Sequence, residues 1–158
     1  MFAVFRNTGH PLADVASSEP AQVATKQTTV PLDPASLKVA RRFILTAVNR
    51  KDVDAAYDIT GADLRGTMTR RQWDSGNIPV IYYAAGDVPV SAFRVTYSYP
   101  REALLQVSLV PANGKTSENM KGFTFFIGLK KVGNGSLGHW VVSYWAPDYH
   151  PPIPGGPQ

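Results

Sequence analysis

The chain has 158 residues, 44% of them hydrophobic, which is enough for one domain with a real core. Sixteen Lys and Arg against twelve Asp and Glu leave +4, and the excess is spread out: residues 1–90 hold ten basic and nine acidic side chains, residues 91–158 six and three. That is no nucleic-acid footprint, and the lack of cysteine excludes disulfides, thiolate metal sites and cysteine nucleophiles.

The chain opens with MFAVFRNTGHP, a five-residue apolar run followed by a charge. A membrane span takes roughly 20 apolar residues and a signal-peptide core about 7 to 15, so the run by itself is neither. It also reads as the end of a transmembrane helix lying ahead of residue 1, because the texture that follows is that of a tether. From Asn7 to Asp33 small polar residues are interrupted by Pro11, Pro20 and Pro31 with no apolar period, and TKQTTV supplies at most an edge strand. Residues 1–32 are therefore expected to be a linker that holds an extracytoplasmic domain to a membrane. A cytoplasmic chain is the alternative.

At Asp33 the texture changes. Asp33 is placed to cap a helix that begins with Pro34, where a missing N–H costs nothing. Leu37, Ala40, Ile44, Ala47 and Val48 fall on one helical face, with Lys38, Arg41, Arg42 and Arg50 mostly outside it. The period predicts about four turns. Two shorter helices follow. DVDAAYDIT starts at a cap, Asp52, places Val53, Ala56 and Tyr57 together, and is expected to end with Gly61 in the left-handed conformation. TRRQW has Thr69 and Gln72 at capping-box spacing, sends Trp73 to the core and is closed by Gly76. The acids then have structural duties: Asp52 caps, Asp54 and Asp58 share a wet face, and Asp63 and Asp74 flank turns.

After Pro79 the period becomes alternating. Phe93, Val95, Tyr97 and Tyr99 are predicted on the buried face of one strand, Leu105, Val107 and Leu109 of the next, and Phe123, Phe125, Ile127 and Leu129 of the third. HWVVSYWAP closes the series, with Trp140, Val142 and Tyr144 on one face and His139, Val141, Ser143 and Trp145 on the other. ANGKTSEN and GNGSLG are the turns between them, and turns this short require antiparallel pairing. Helices followed by such strands make an α+β domain with the helices on one face of a curved sheet. The tail, residues 148–158, is too rich in Pro and Gly to continue a strand.

One long helix, two short ones and a sheet with a Trp- and Val-rich last strand resembles the NTF2-like, or cystatin-like, superfamily. That group includes ketosteroid isomerases, SnoaL-type cyclases and many non-catalytic domains. The likeness rests on ARRFILTAVNRKDVDAAYDITGADLRG, TRRQWDSGNIP and the terminal HWVVSYWAP, and it spans about Pro34 to Pro147. The chain also looks like small single-domain extracytoplasmic proteins of actinobacteria, in which such a domain follows a membrane anchor and a linker. The resemblance implies an NTF2-like domain over residues 33–147 enclosing a conical pocket, and association of two copies through the sheet face.

Residues expected to line that cone are Tyr57, Trp73, Tyr82, Tyr83, Tyr97, Phe125 and Trp145; core packing is the plainer role for each. Isomerase-like chemistry needs a carboxylate base and proton donors inside the cone. The sheet half offers only Glu102, Glu118 and Asp148, at strand ends, a turn and the tail, and a His139–Asp148 pair with Ser143 or Tyr57 has no support in spacing. His10, His139 and His150 are too scattered to share a metal, so no metal and no cofactor is expected. NGKTS lacks the glycine that a phosphate-binding loop requires five residues before Gly114, no GxSxG is present, and GNGSLG, which spells GxGxxG, is a turn between strands and opens no helix as a dinucleotide fingerprint must. The expected function is a non-catalytic binding or assembly domain taking a small apolar ligand, a protein partner or a second copy, without nucleic acid. The alternative is a small-molecule enzyme of the isomerase, cyclase or dehydratase kind.

Overall fold

The structure, a computed structural model, describes residues 28–112 and 122–148. The expected linker up to Gln27, the body of the ANGKTSEN turn and the tail from Tyr149 lie outside the described residues.

Asp33 caps the first helix as expected: its carboxylate accepts from the Ala35 N–H at 2.9 Å, and Pro34 takes the first helical position. This helix, α1, runs Pro34–Phe43 and continues as a π-helical turn, Ile44–Val48. The wide turn is closed by the Asn49 N–H donating to the Ile44 carbonyl at 2.9 Å. Asn49 is itself pinned by a two-way pair with Ala85, donating to its carbonyl at 3.2 Å and accepting from its N–H at 2.7 Å. Arg50 then turns the chain with φ of 58°, and its guanidinium donates to the carbonyls of Ala47 and Val80. Ser36, Ala40, Phe43, Ile44, Ala47 and Val48 form the buried stripe, and the Ser36 hydroxyl is satisfied by the Asp33 carbonyl at 2.7 Å.

Asp52 caps α2 (Val53–Ile59) through the Ala55 N–H, at 3.0 Å. Gly61 does not end it in the left-handed region: its φ is −71°, and one more helical turn, α3 (Ala62–Arg65), follows before the positive φ falls at Gly66. Gly61 supplies close approach instead. Its N–H donates to the Val142 carbonyl at 2.7 Å, and a Cβ there would stand 3.0 Å from Val141 Cγ2. The capping box of α4 (Arg70–Asp74) is present in both directions, Gln72 N–H to Thr69 and Thr69 N–H to Gln72, and Gly76 closes the piece with φ of 80°.

Strands β1 (Phe93–Ser98), β2 (Glu102–Leu109), β3 (Phe123–Val132) and β4 (His139–Pro147) form one antiparallel meander in that order. Ala103, Leu105, Val107 and Leu109 of β2 and Phe125, Ile127 and Leu129 of β3 point to the helices and are buried, so the chain is α+β with one covered sheet face. Val30 N–H donates to the Ser98 carbonyl at 2.9 Å on the β1 edge, and Thr60 makes a parallel bridge to Val142 on the β4 edge.

Two bulges overturn the simple alternation. Val95 pairs with Leu105 but Tyr97 with Leu104, so Thr96 is the extra residue; Tyr97 leaves the helix side and Ser98 takes the buried position. Leu129 pairs with Val142 but Gly128 with Tyr144, so Ser143 is the extra residue in β4. Trp145 therefore joins Trp140 and Val142 inside and Tyr144 turns out, whereas simple alternation had grouped Tyr144 with Trp140 and Val142 and set Trp145 on the opposite face.

Candidate functional site

The seven expected cone residues separate into three groups. Trp73, Phe125 and Trp145 are in the core, with exposures of 0%, 2% and 6%. The Trp145 ring stacks on Phe125 with centroids 4.5 Å apart and planes at 9°, and Phe43 meets Trp145 edge-on at 5.9 Å. Both buried indoles find acceptors: Trp73 N–H donates to the Val53 carbonyl at 2.7 Å and Trp145 N–H to the Ile81 carbonyl at 3.3 Å. The interior between α1 and the sheet holds this packed stack.

Tyr57 and Tyr83 are half-buried at its margins. Tyr57 meets Trp73 edge-on at 6.0 Å and carries Arg65 and Arg70 over its ring, at 4.3 and 4.7 Å from the centroid. Tyr83 packs edge-on against Phe125 at 5.7 Å, and burial raises its pKa. Tyr82 is 58% exposed, with the Arg50 guanidinium 5.9 Å from its centroid. Tyr97 is on the far side of the sheet.

The charged groups are outside the core. Asp54 and Asp58 both accept from Arg70, whose pKa their hydrogen bonds raise, and Asp63 holds Lys130 at 2.6 Å. His139 is exposed, its Nδ1 3.3 Å from the Leu137 carbonyl. Asp148 accepts from the Gln106 amide at 2.7 Å on the outer face. No set of three or more His, Asp or Glu among the described residues is arranged to hold a metal ion, and no described helix is long and apolar enough to cross a membrane.

A second feature was not foreseen from sequence. On the face away from the helices lies a groove of about 460 Å³. Leu104, Phe126, Tyr97 and Tyr144 wall it, Gly128 forms its floor, and Glu102 and Lys130 stand at one end. Both tyrosines face it only because Thr96 and Ser143 are bulged. Gly128 has no room for a side chain, since a Cβ would stand 2.8 Å from that of Tyr144. The Tyr97 hydroxyl donates to Glu102 Oε1 at 3.1 Å, and its pKa is raised by burial first and then by the Glu102 carboxylate. Lys130 is held in its charged form chiefly by the Asp63 hydrogen bond.

A sequence signal for one wall did exist. Trp140 and Trp145 are five positions apart, so burying both in one strand demands one extra residue between them. Nothing comparable marks Thr96. The arrangement offers a half-buried apolar cleft with one carboxylate, a surface suited to recognition. No protein-family model, no curated protein and no solved structure matches the chain.

Proposed function

We propose that this chain is a non-catalytic binding or assembly domain of NTF2-like type, held outside a membrane by the segment ahead of residue 33, and that its contact surface is the outer face of the sheet. The observation that carries the reading is the Phe43–Trp145–Phe125 stack, which occupies the place where a catalytic cone would open. The order of elements, one long helix, short helices and a four-stranded antiparallel sheet, supports the NTF2-like assignment. The apolar middle and polar rim of the outer face, Leu104, Phe126 and Tyr144 within a border of Arg94, Glu102, Gln106 and Lys130, have the composition of a contact surface.

The reading is tested by NMR titration of the full chain with cholate, an apolar ring system of the size an open cone would hold. Shift changes are expected only on the outer face, at Leu104, Phe126 and Tyr144. Saturable changes at Phe43, Ile127 and Trp145 would overturn it and favour a small-molecule enzyme.

A further inference from the structure

We infer that the α3–α4 corner of this protein binds a phosphoryl dianion, inorganic phosphate or a phosphate monoester, in a groove between Arg65 and Arg71. The site is separate from the outer sheet face and stands or falls independently of the reading given to that face.

The Tyr57 ring carries two guanidiniums that are provided for differently. Arg70, 4.7 Å from its centroid, donates to Asp54 at 2.6 Å and to Asp58. Arg65, closer at 4.3 Å, has no ion pair among the described residues, and its Nε is sealed from solvent without an acceptor. Among the described residues no other buried side-chain nitrogen or oxygen is left in that state. An N–H that neither the chain nor water satisfies is costly, and a bound ion that supplies the acceptor is a physical cause for keeping one. The stack on Tyr57 holds the Arg65 guanidinium in place before any anion arrives.

Arg65 lines a hollow of about 500 Å³ whose wall of Thr67, Met68 and Asn77 also belongs to a second hollow, of about 540 Å³, lined by Arg71. Gly66, at φ of 59°, turns the chain out of α3 and leads it into this wall. Arg71 is exposed, and its side chain has no hydrogen bond or ion pair among the described residues; the Thr67 hydroxyl and the Asn77 side-chain amide are equally uncommitted. Donors therefore surround the shared wall on both sides.

The acids of this corner are already engaged or stand outside it. Asp63 is the only acid lining either hollow, and Lys130 holds it at 2.6 Å. Asp54 and Asp58 belong to Arg70, and Asp74, at the end of α4, lines neither hollow and forms no ion pair. The groove thus offers two guanidinium charges that no carboxylate of the described chain balances. A carboxylate ligand would balance one of them. A phosphoryl dianion balances both, and its oxygens suffice for a guanidinium fork, a hydroxyl and an amide together.

NMR titration of the full chain at constant ionic strength tests this, at about pH 8, where a phosphate monoester is doubly charged. Inorganic phosphate should saturate the site at about 1–10 mM, moving the backbone amides of Gly66, Thr67, Met68 and Asn77 and carrying the Arg65 Nε–H signal downfield as it gains an acceptor. Acetate should bind at least about tenfold more weakly. Phenyl phosphate separates the two sources: tighter binding than the inorganic ion assigns the site to an ester, equal or weaker binding to the free ion. Arg65→Lys, which keeps the charge and loses the fork, should weaken phosphate by about tenfold and Arg71→Gln by about threefold, whereas Arg42→Gln, on the exposed side of α1, should change nothing. Arg71 is on the surface, so its variant decides the question should Arg65→Lys fail to fold. Shifts that never saturate, an Arg65 Nε–H that stays still, acetate as effective as phosphate, groove variants that bind like the wild type, or an Arg42→Gln as weak as they are would overturn the site.

Discussion

The ring of Trp145 lies flat on that of Phe125, 4.5 Å between centroids, although the two are on neighbouring strands in register positions 127–145 and 125–147. The contact is diagonal, and it exists because Ser143 is looped out of β4, which turns Trp145 to the helix side. Phe43 from α1 closes the stack edge-on. One bulge therefore both fills the interior and sends Tyr144 to the outer groove.

Trp145→Ala removes the largest member of that stack. Its side chain is 6% exposed, and large aromatic deletions in a core cost about 3–5 kcal/mol. Urea denaturation should show a loss of that size with an unchanged slope. A loss under about 1 kcal/mol would mean that the ring packs loosely or that the site collapses around the gap.

Deleting Ser143 tests the bulge itself. Without it, Val142, Tyr144 and Trp145 alternate regularly and keep the faces they now have, so the variant should fold cooperatively with a cost of no more than about 2 kcal/mol. Its tryptophan emission should stay blue-shifted. If β4 were a regular strand, the deletion would throw Trp145 into water, shift the emission red and abolish cooperative unfolding.

These cases show how far the residues announce the fold. The caps at Asp33, Asp52 and Thr69, the apolar stripe of α1 and the inward series of β2 and, apart from the exposed Phe123 at its start, of β3 follow from local rules, because each needs only a period or a side chain within reach of its own backbone. The helix fragment Ala62–Arg65 and the role of Gly61 did not, since Gly61 is required by contact with Val141, eighty positions away. The outer groove was hidden for the same reason. A bulge changes the phase of a strand through pairing with a neighbour, and strict alternation assigned Tyr97 to the wrong side and grouped Tyr144, in place of Trp145, with Trp140 and Val142. Of the expected cone residues, Tyr82 and Tyr97 lie away from the core that gathers Phe125 and Trp145.

Gly128→Ala should be costly despite its small size. The added methyl would meet Tyr144 Cβ at 2.8 Å, an atom fixed to the backbone, so β3 and β4 must part locally. A penalty of about 1–3 kcal/mol in thermal or chemical unfolding is expected. A neutral result would show that the two strands have slack that the geometry of this row denies.

Asp33 links α1 to β4, accepting from the Ala35 N–H and from the Trp140 indole N–H at 2.8 Å. The indole bond first, and the helix amide second, hold its pKa below the ordinary carboxylate value. A carboxylate depressed in the folded state contributes stability that is complete above its unfolded pKa, about 3.9, and lost as pH falls through the folded one. Stability profiles from about pH 5 down to pH 2 should therefore fall less steeply for Asp33→Asn than for the wild type. Parallel profiles would show that Asp33 titrates alike folded and unfolded.

A closed interior is tested most directly by unfolding the wild type and Trp145→Ala in water with and without saturating benzene, since a ligand that enters only the folded state raises its stability and an apolar void takes benzene. With Phe43, Phe125 and Trp145 packed as they are, benzene should leave the wild-type midpoint unchanged and raise that of Trp145→Ala. A wild type stabilised by benzene as much as the variant would contradict the filled core and return the interior to the list of ligand sites.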